Sequence, residues 1–81
     1  MMKGFADMED TKLYQLIGRN IKFYRTQKGI TQRKFCEHTG ISLSYLTKLE
    51  AAHCTQSVSI SLLNRIAHSL DVDIIEFFKE R

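Results

Sequence analysis

Apolar residues along this chain recur at intervals of three and four and nowhere alternate strictly with polar ones, so helices are expected and strands are not. The first stripe is Leu13, Ile17, Ile21 and Tyr24, on a helix expected over 11–27, with Asp10 or Thr11 as its cap and Gly29 beyond its end. Arg19, Lys22, Arg25 and Lys28 populate its other sides, and Gly18 marks either a close helix approach or a plain surface position. Residues 1–10 carry three acids and no periodicity, and are expected as a flexible arm ahead of a domain spanning 11–81; Phe5 and Met8 are candidates there for a partner contact.

Two short helices follow. Thr31 is an N-cap for 32–39, where Phe35, Cys36 and Thr39 recur at helical spacing, and Gly40 ends that helix by entering the left-handed region. Ile41 is an apolar plug, Ser42 a second N-cap, and Leu46 and Leu49 give the helix expected over 43–51 one narrow apolar stripe. Two helices crossing steeply over so short a turn need a small side chain where they touch and a plug beneath the turn. Cys36 and Ile41 meet those needs, which makes 31–50 a helix-turn-helix pattern with Cys36 expected in the core. The loop AAHCTQSV specifies no regular element. Ser59 caps a fourth helix running to Leu70, with Ile60, Leu63, Ile66, Ala67 and Leu70 inward and Asp71 at the stop. Asp73-x-x-Glu76 reads as a capping box opening a fifth helix, apolar on more than one side through Ile74, Ile75, Phe77 and Phe78.

The segments ITQRKF and GISLSYLTKLE resemble the opening and the recognition segment of the XRE family, the phage lambda-repressor and Cro-like helix-turn-helix transcriptional regulators. The similarity extends over about 17–78. It implies an all-α, compact five-helix DNA-binding domain with the helix-turn-helix at helices 2 and 3, acting as a homodimer on an inverted-repeat operator. It also implies a phosphate contact from Gln32 and an ion pair between Arg25 and Glu50, which, if exposed, is worth only about 0–1 kcal/mol. Members of the family often carry Asn-Gly and a basic loop after the second helix, whereas this chain has Ala51-Ala52-His53-Cys54, which puts a DNA role for the loop in doubt.

Charge sharpens this picture. Residues 12–50 hold eight Lys/Arg and two Asp/Glu, and 51–81 hold three and four, so the half with the helix-turn-helix is the basic one. In helix-turn-helix docking the first part of the second helix meets base edges, which puts Leu43, Ser44, Thr47 and Lys48 outward. Lys48 suits guanine O6 and N7, and Leu43 suits a thymine methyl. Tyr45 is a phosphate donor candidate; Arg33 and Lys34 add charge beside Gln32 at a helix N-terminus. An apolar surplus on a small domain marks an interface, so Ile74, Phe77 and Phe78 are the expected dimer contact.

Other chemistries fit poorly. Cys36, His38, His53, Cys54 and His68 lack the close pairing of a zinc site, so no metal is expected. Cys54, expected in an exposed loop, is a candidate redox thiol or a passive one. With no phosphate-binding glycine loop and no nucleophile–base motif, neither an enzyme nor a cofactor nor a small-molecule ligand is expected. No apolar run approaches the ~20 residues of a membrane span, and no signal peptide is evident, so a soluble cytoplasmic protein is the expectation. The rival to a DNA regulator is a protein-interaction or antitoxin module on the same fold.

Overall fold

The computed structural model describes residues 2–80, with side chains from Asp10 onward, so Phe5 and Met8 as contact candidates lie outside the described side chains. The described residues contain no strand. Four α-helices, α1 (Met2–Gln27), α2 (Gln32–Thr39), α3 (Leu43–Leu49) and α4 (Ile60–Leu70), are followed by a 3-10 segment, Ile74–Phe78. At 1.5 Å rise per residue, α1 is roughly 39 Å long, close to the 42 Å long axis of the molecule. It begins at Met2 rather than near 11. The stretch ahead of 11 contains no proline and several good helix formers, and extending a helix already nucleated over 11–27 needs no second nucleus.

Each short helix is bounded by its own chemistry. Thr31, Ser42 and Ser59 turn their hydroxyl oxygens to accept the backbone N–H groups of Lys34, Tyr45 and Leu62 at 3.0–3.1 Å. Gly40 closes α2 at φ +78°, its N–H bonded to the Cys36 carbonyl at 2.8 Å. Asp71 closes α4 at φ +56° and is the one non-glycine residue with positive φ among those described.

The core gathers Ile17, Ile21, Phe35, Ile41, Leu46, Leu49, Cys54, Leu63, Ile66, Ala67, Leu70 and Phe77. Two inward assignments shift: Leu13 and Ile60 are exposed, and Leu16 is buried. Ile60 opens α4 ahead of the stretch that meets the core, and Leu13 lies before the part of α1 that the body covers. Cys36 is half-buried, packed against the core rather than enclosed by it. Gly18 is a point of close helix approach: a Cβ built there would overlap the Leu49 carbonyl oxygen and sit 3.1 Å from its carbon. α1 therefore rests its backbone directly on the end of α3.

The expected fifth helix is a 3-10 segment, tied to α1 by side-chain hydrogen bonds. Asp73 accepts from the Ile75 N–H at 3.1 Å, while Glu76 turns away from any capping box to accept from the Tyr24 hydroxyl at 2.7 Å and the Lys79 ammonium at 2.9 Å. Asn20, fully buried, donates its amide to the Phe77 and Lys79 carbonyls at 2.8 and 2.9 Å. The two carbonyls at the end of the turn, which would lack a partner within any helix, are thus satisfied by α1. A polar residue set among Ile17, Ile21 and Tyr24 is the sequence signal for such a clamp.

Candidate nucleic-acid interface

α3 has seven residues, too few to persist alone, so tertiary contacts set its orientation. Leu46 and Leu49 bury one side completely. Leu43, Ser44, Thr47 and Lys48 are all exposed on the other, the Thr47 hydroxyl reaching the Gln32 side chain at 3.4 Å. The edge offers an apolar branch, two hydroxyls and an ammonium. Those groups can meet a methyl, either kind of hydrogen-bonding base edge, and purine acceptors.

A buried network anchors the far end of α3. Arg25 Nε and Nη2 donate to the two Glu50 carboxylate oxygens at 2.8 Å each, and Nη1 donates to the Ile30 carbonyl at 2.6 Å. The two side chains are 8% and 2% exposed, so this is an interior ion pair and not the exposed one weighed from sequence. Gln32 Nε2 donates to Glu50 Oε1 at 3.0 Å, and its Oε1 accepts a long bond, 3.4 Å, from the Thr47 hydroxyl. The Gln32 side chain is therefore engaged inward, and what it leaves at the surface is its backbone position in the first turn of α2. Arg33 and Lys34 in that turn are exposed; Lys34 approaches Glu37 only at 3.8 Å, both well solvated.

Tyr45 differs from its expected role. Its hydroxyl donates to the Ser57 carbonyl at 2.8 Å, so the proton meant for a phosphate is committed within the chain. Burial, and secondarily Cys54, pushes the phenol above its ordinary pKa. Cys54 is 2% exposed rather than accessible: the Gln56 N–H donates to its sulfur at 3.3 Å, and the thiol lies back toward the Gln56 carbonyl at 3.6 Å. That burial removes the access a redox thiol needs. Burial also raises the Cys36 thiol, with Glu50 adding to the shift and Arg25 and Arg33 opposing it.

The apolar surplus at the C-terminal end divides. Phe77 is fully buried against Tyr24 and cannot face a partner, because the 3-10 turn points it into the core. Ile74 is half-buried, whereas Ile75 at 55% and Phe78 at 38% are exposed. Among the described residues no group of three or more His, Cys, Asp or Glu side chains could hold a metal, and no helix is long and apolar enough to cross a membrane.

A helix-turn-helix family profile matches residues 21–77. The chain is 35% identical over 63 residues to the HTH-type transcriptional regulator SlrR of Bacillus subtilis, a match covering 78% of this chain and 41% of that protein. It is 32% identical over 66 residues to the HTH-type transcriptional regulator SinR of Bacillus licheniformis, covering 82% and 59%. The chain thus spans about half the length of these curated relatives. Among solved structures it is similar to the restriction-modification controller protein C.AhdI of Aeromonas hydrophila, with TM-score 0.72, 26% identity and coverage of 80% of this chain and 96% of that one. The clp gene regulator ClgR of C. glutamicum aligns with the same TM-score, 0.72, at 29% identity, covering 80% and 82%.

Proposed function

The chain belongs to the XRE-type helix-turn-helix family of transcriptional regulators, and on that footing we propose that it binds duplex DNA sequence-specifically, two copies reading an inverted repeat. The carrying observation is the outer edge of α3, where Leu43, Ser44, Thr47 and Lys48 stand clear of the body while Leu46 and Leu49 are sealed beneath them. Such an edge fits the major groove, and Arg33 and Lys34 flank it with charge for phosphates.

Two copies follow from the economy of reading. One edge of four side chains specifies too few base pairs, whereas two placed about 34 Å apart read half-sites one turn from each other. With Phe77 enclosed, Phe78 and Ile75, bordered by Ile74, are the apolar groups that the C-terminal turn offers for self-association.

Selection of duplexes from a random pool tests the proposal directly. The expected result is an inverted repeat. Its affinity should fall with salt at a logarithmic slope of about −0.9 per phosphate neutralised, and Lys48→Ala or Thr47→Ala should cost about 1–3 kcal/mol on the selected site. Unaltered binding by both variants would reject this edge as the reader. An unenriched pool would reject DNA recognition and favour a protein partner.

A further inference from the structure

The segment between α3 and α4 carries a device that the family resemblance does not account for. Residues 51–59, Ala-Ala-His-Cys-Thr-Gln-Ser-Val-Ser, contain no lysine or arginine. The segment nevertheless lies beside the reading edge: Lys48 and the loop residues His53, Thr55 and Gln56 line one small groove of about 170 Å³. A basic loop would be drawn to DNA by charge, which acts over a Debye length and tolerates loose placement. A loop without lysine or arginine, offering hydroxyls, one imidazole, one amide and backbone N–H groups, has far less of that reach. It can act on a neighbouring duplex only within hydrogen-bonding distance, so it must be held in place beforehand.

Two internal bonds hold it. The Tyr45 hydroxyl, from the middle of α3, donates to the Ser57 carbonyl at 2.8 Å, two residues before the Ser59 cap of α4. The buried Cys54 sulfur, accepting from the Gln56 N–H, ties the same loop to the core. Tyr45 also lines the larger groove shared by the α2–α3 turn and α4, next to Ser42, Ser59 and Leu62. Its ring therefore stands where α3, the loop and the first turn of α4 meet.

Taking the DNA-binding reading as given, we infer that Tyr45 is a positioning residue for specific recognition: it fastens the neutral loop beside Lys48, so that reading edge and loop meet the duplex as one rigid surface. Tyr45 is then no phosphate ligand. It separates specific from non-specific binding, since non-specific binding needs only the lysines and arginines.

Tyr45→Phe keeps the ring and removes the bond. In the DNA-free protein, amide exchange at 55–58 should quicken while the helices retain parental protection and the melting transition remains cooperative. Affinity for the selected duplex should fall about two- to tenfold, the range of one neutral hydrogen bond. Affinity for a scrambled duplex of equal length, and the salt slope, should stay within experimental error. Equal losses on both duplexes with unchanged loop exchange would mean that the hydroxyl meets a phosphate directly, overturning the inference. Unchanged affinity for the selected duplex would overturn it as well. A parent protein that does not discriminate the two duplexes would instead sink the DNA reading, and the exchange experiment, run without DNA, tells the two failures apart.

Discussion

Replacing Arg25 by methionine is the severest single test of how α3 is held. The change keeps a long apolar stem but deletes three donors: two to Glu50 at 2.8 Å and one to the Ile30 carbonyl at 2.6 Å. Glu50, with a side chain 2% exposed, is left with only the Gln32 amide at 3.0 Å. An unpaired buried carboxylate cannot recover its hydration, so the expected cost is about 3–5 kcal/mol, the range for breaking an interior ion pair by removing one partner. Set against the roughly 5–15 kcal/mol that stabilises a whole domain, such a loss brings the variant near the edge of folding. For a chain of this size, at about 4–8 °C per kcal/mol, the melting temperature should drop by roughly 12–40 °C.

The double variant Arg25→Met/Glu50→Met distinguishes an interior pair from a surface one. With both charges gone no buried group is stranded, and the double should be more stable than the sum of the singles predicts, with a coupling energy of about 2–3 kcal/mol. Urea unfolding followed by far-UV circular dichroism on the four proteins supplies the cycle. A cost below about 1 kcal/mol for Arg25→Met, the value of a solvated pair, would refute the reasoning, as would strict additivity.

Three further outcomes are expected. Gly18→Ala should gain about 1 kcal/mol of helix propensity but lose more, because its Cβ meets the immovable backbone of Leu49, and thermal melting should show a net loss. Asn20→Leu removes the donor to the Phe77 and Lys79 carbonyls and should cost about 1–3 kcal/mol, with amide exchange accelerating first across 74–80. Cys36 and Tyr45 both hold their protons more tightly folded than unfolded, so stability should be complete below the ordinary thiol pKa and decline as pH rises through it. A urea midpoint measured against pH should therefore fall on the alkaline side, and less so in Cys36→Ala.

The parts of this molecule that were legible in the chain are those whose cause is local. Thr31, Ser42 and Ser59 cap the helices they precede because a hydroxyl two or three residues from a free N–H needs no help from elsewhere. Gly40 and Asp71 stop theirs for equally local reasons. What escaped the pattern depends on partners far off in sequence. The placement of the 3-10 turn depends on Asn20 and Tyr24, more than fifty residues earlier, which bond its end carbonyls and its glutamate. Cys54 sits in a stretch of loop composition and is buried because the loop folds over the core. Tyr45 offers a hydroxyl that chemistry alone would assign to a phosphate, whereas in the fold it donates to the Ser57 carbonyl, twelve residues on.

The same distinction bears on how recognition is achieved. A seven-residue helix cannot hold its own direction, so every degree of freedom of the reading edge is fixed by something outside it. Leu46 and Leu49 seat it on the core, the Gly18 contact sets how near its end comes to α1, Glu50 with Arg25 ties its far end to α1, and Tyr45 with Ser57 ties it to the loop ahead of α4. None of these anchors is among the four proposed reading side chains, yet a shift of a few tenths of an ångström at any of them would move all four together. Contact variants such as Lys48→Ala should therefore change which base is preferred at one position. Anchor variants should flatten discrimination along the whole half-site and leave the preferred sequence unchanged. A base-by-base substitution series over the selected half-site separates the two patterns. An anchor variant that altered preference at a single position would show that its side chain reads DNA after all.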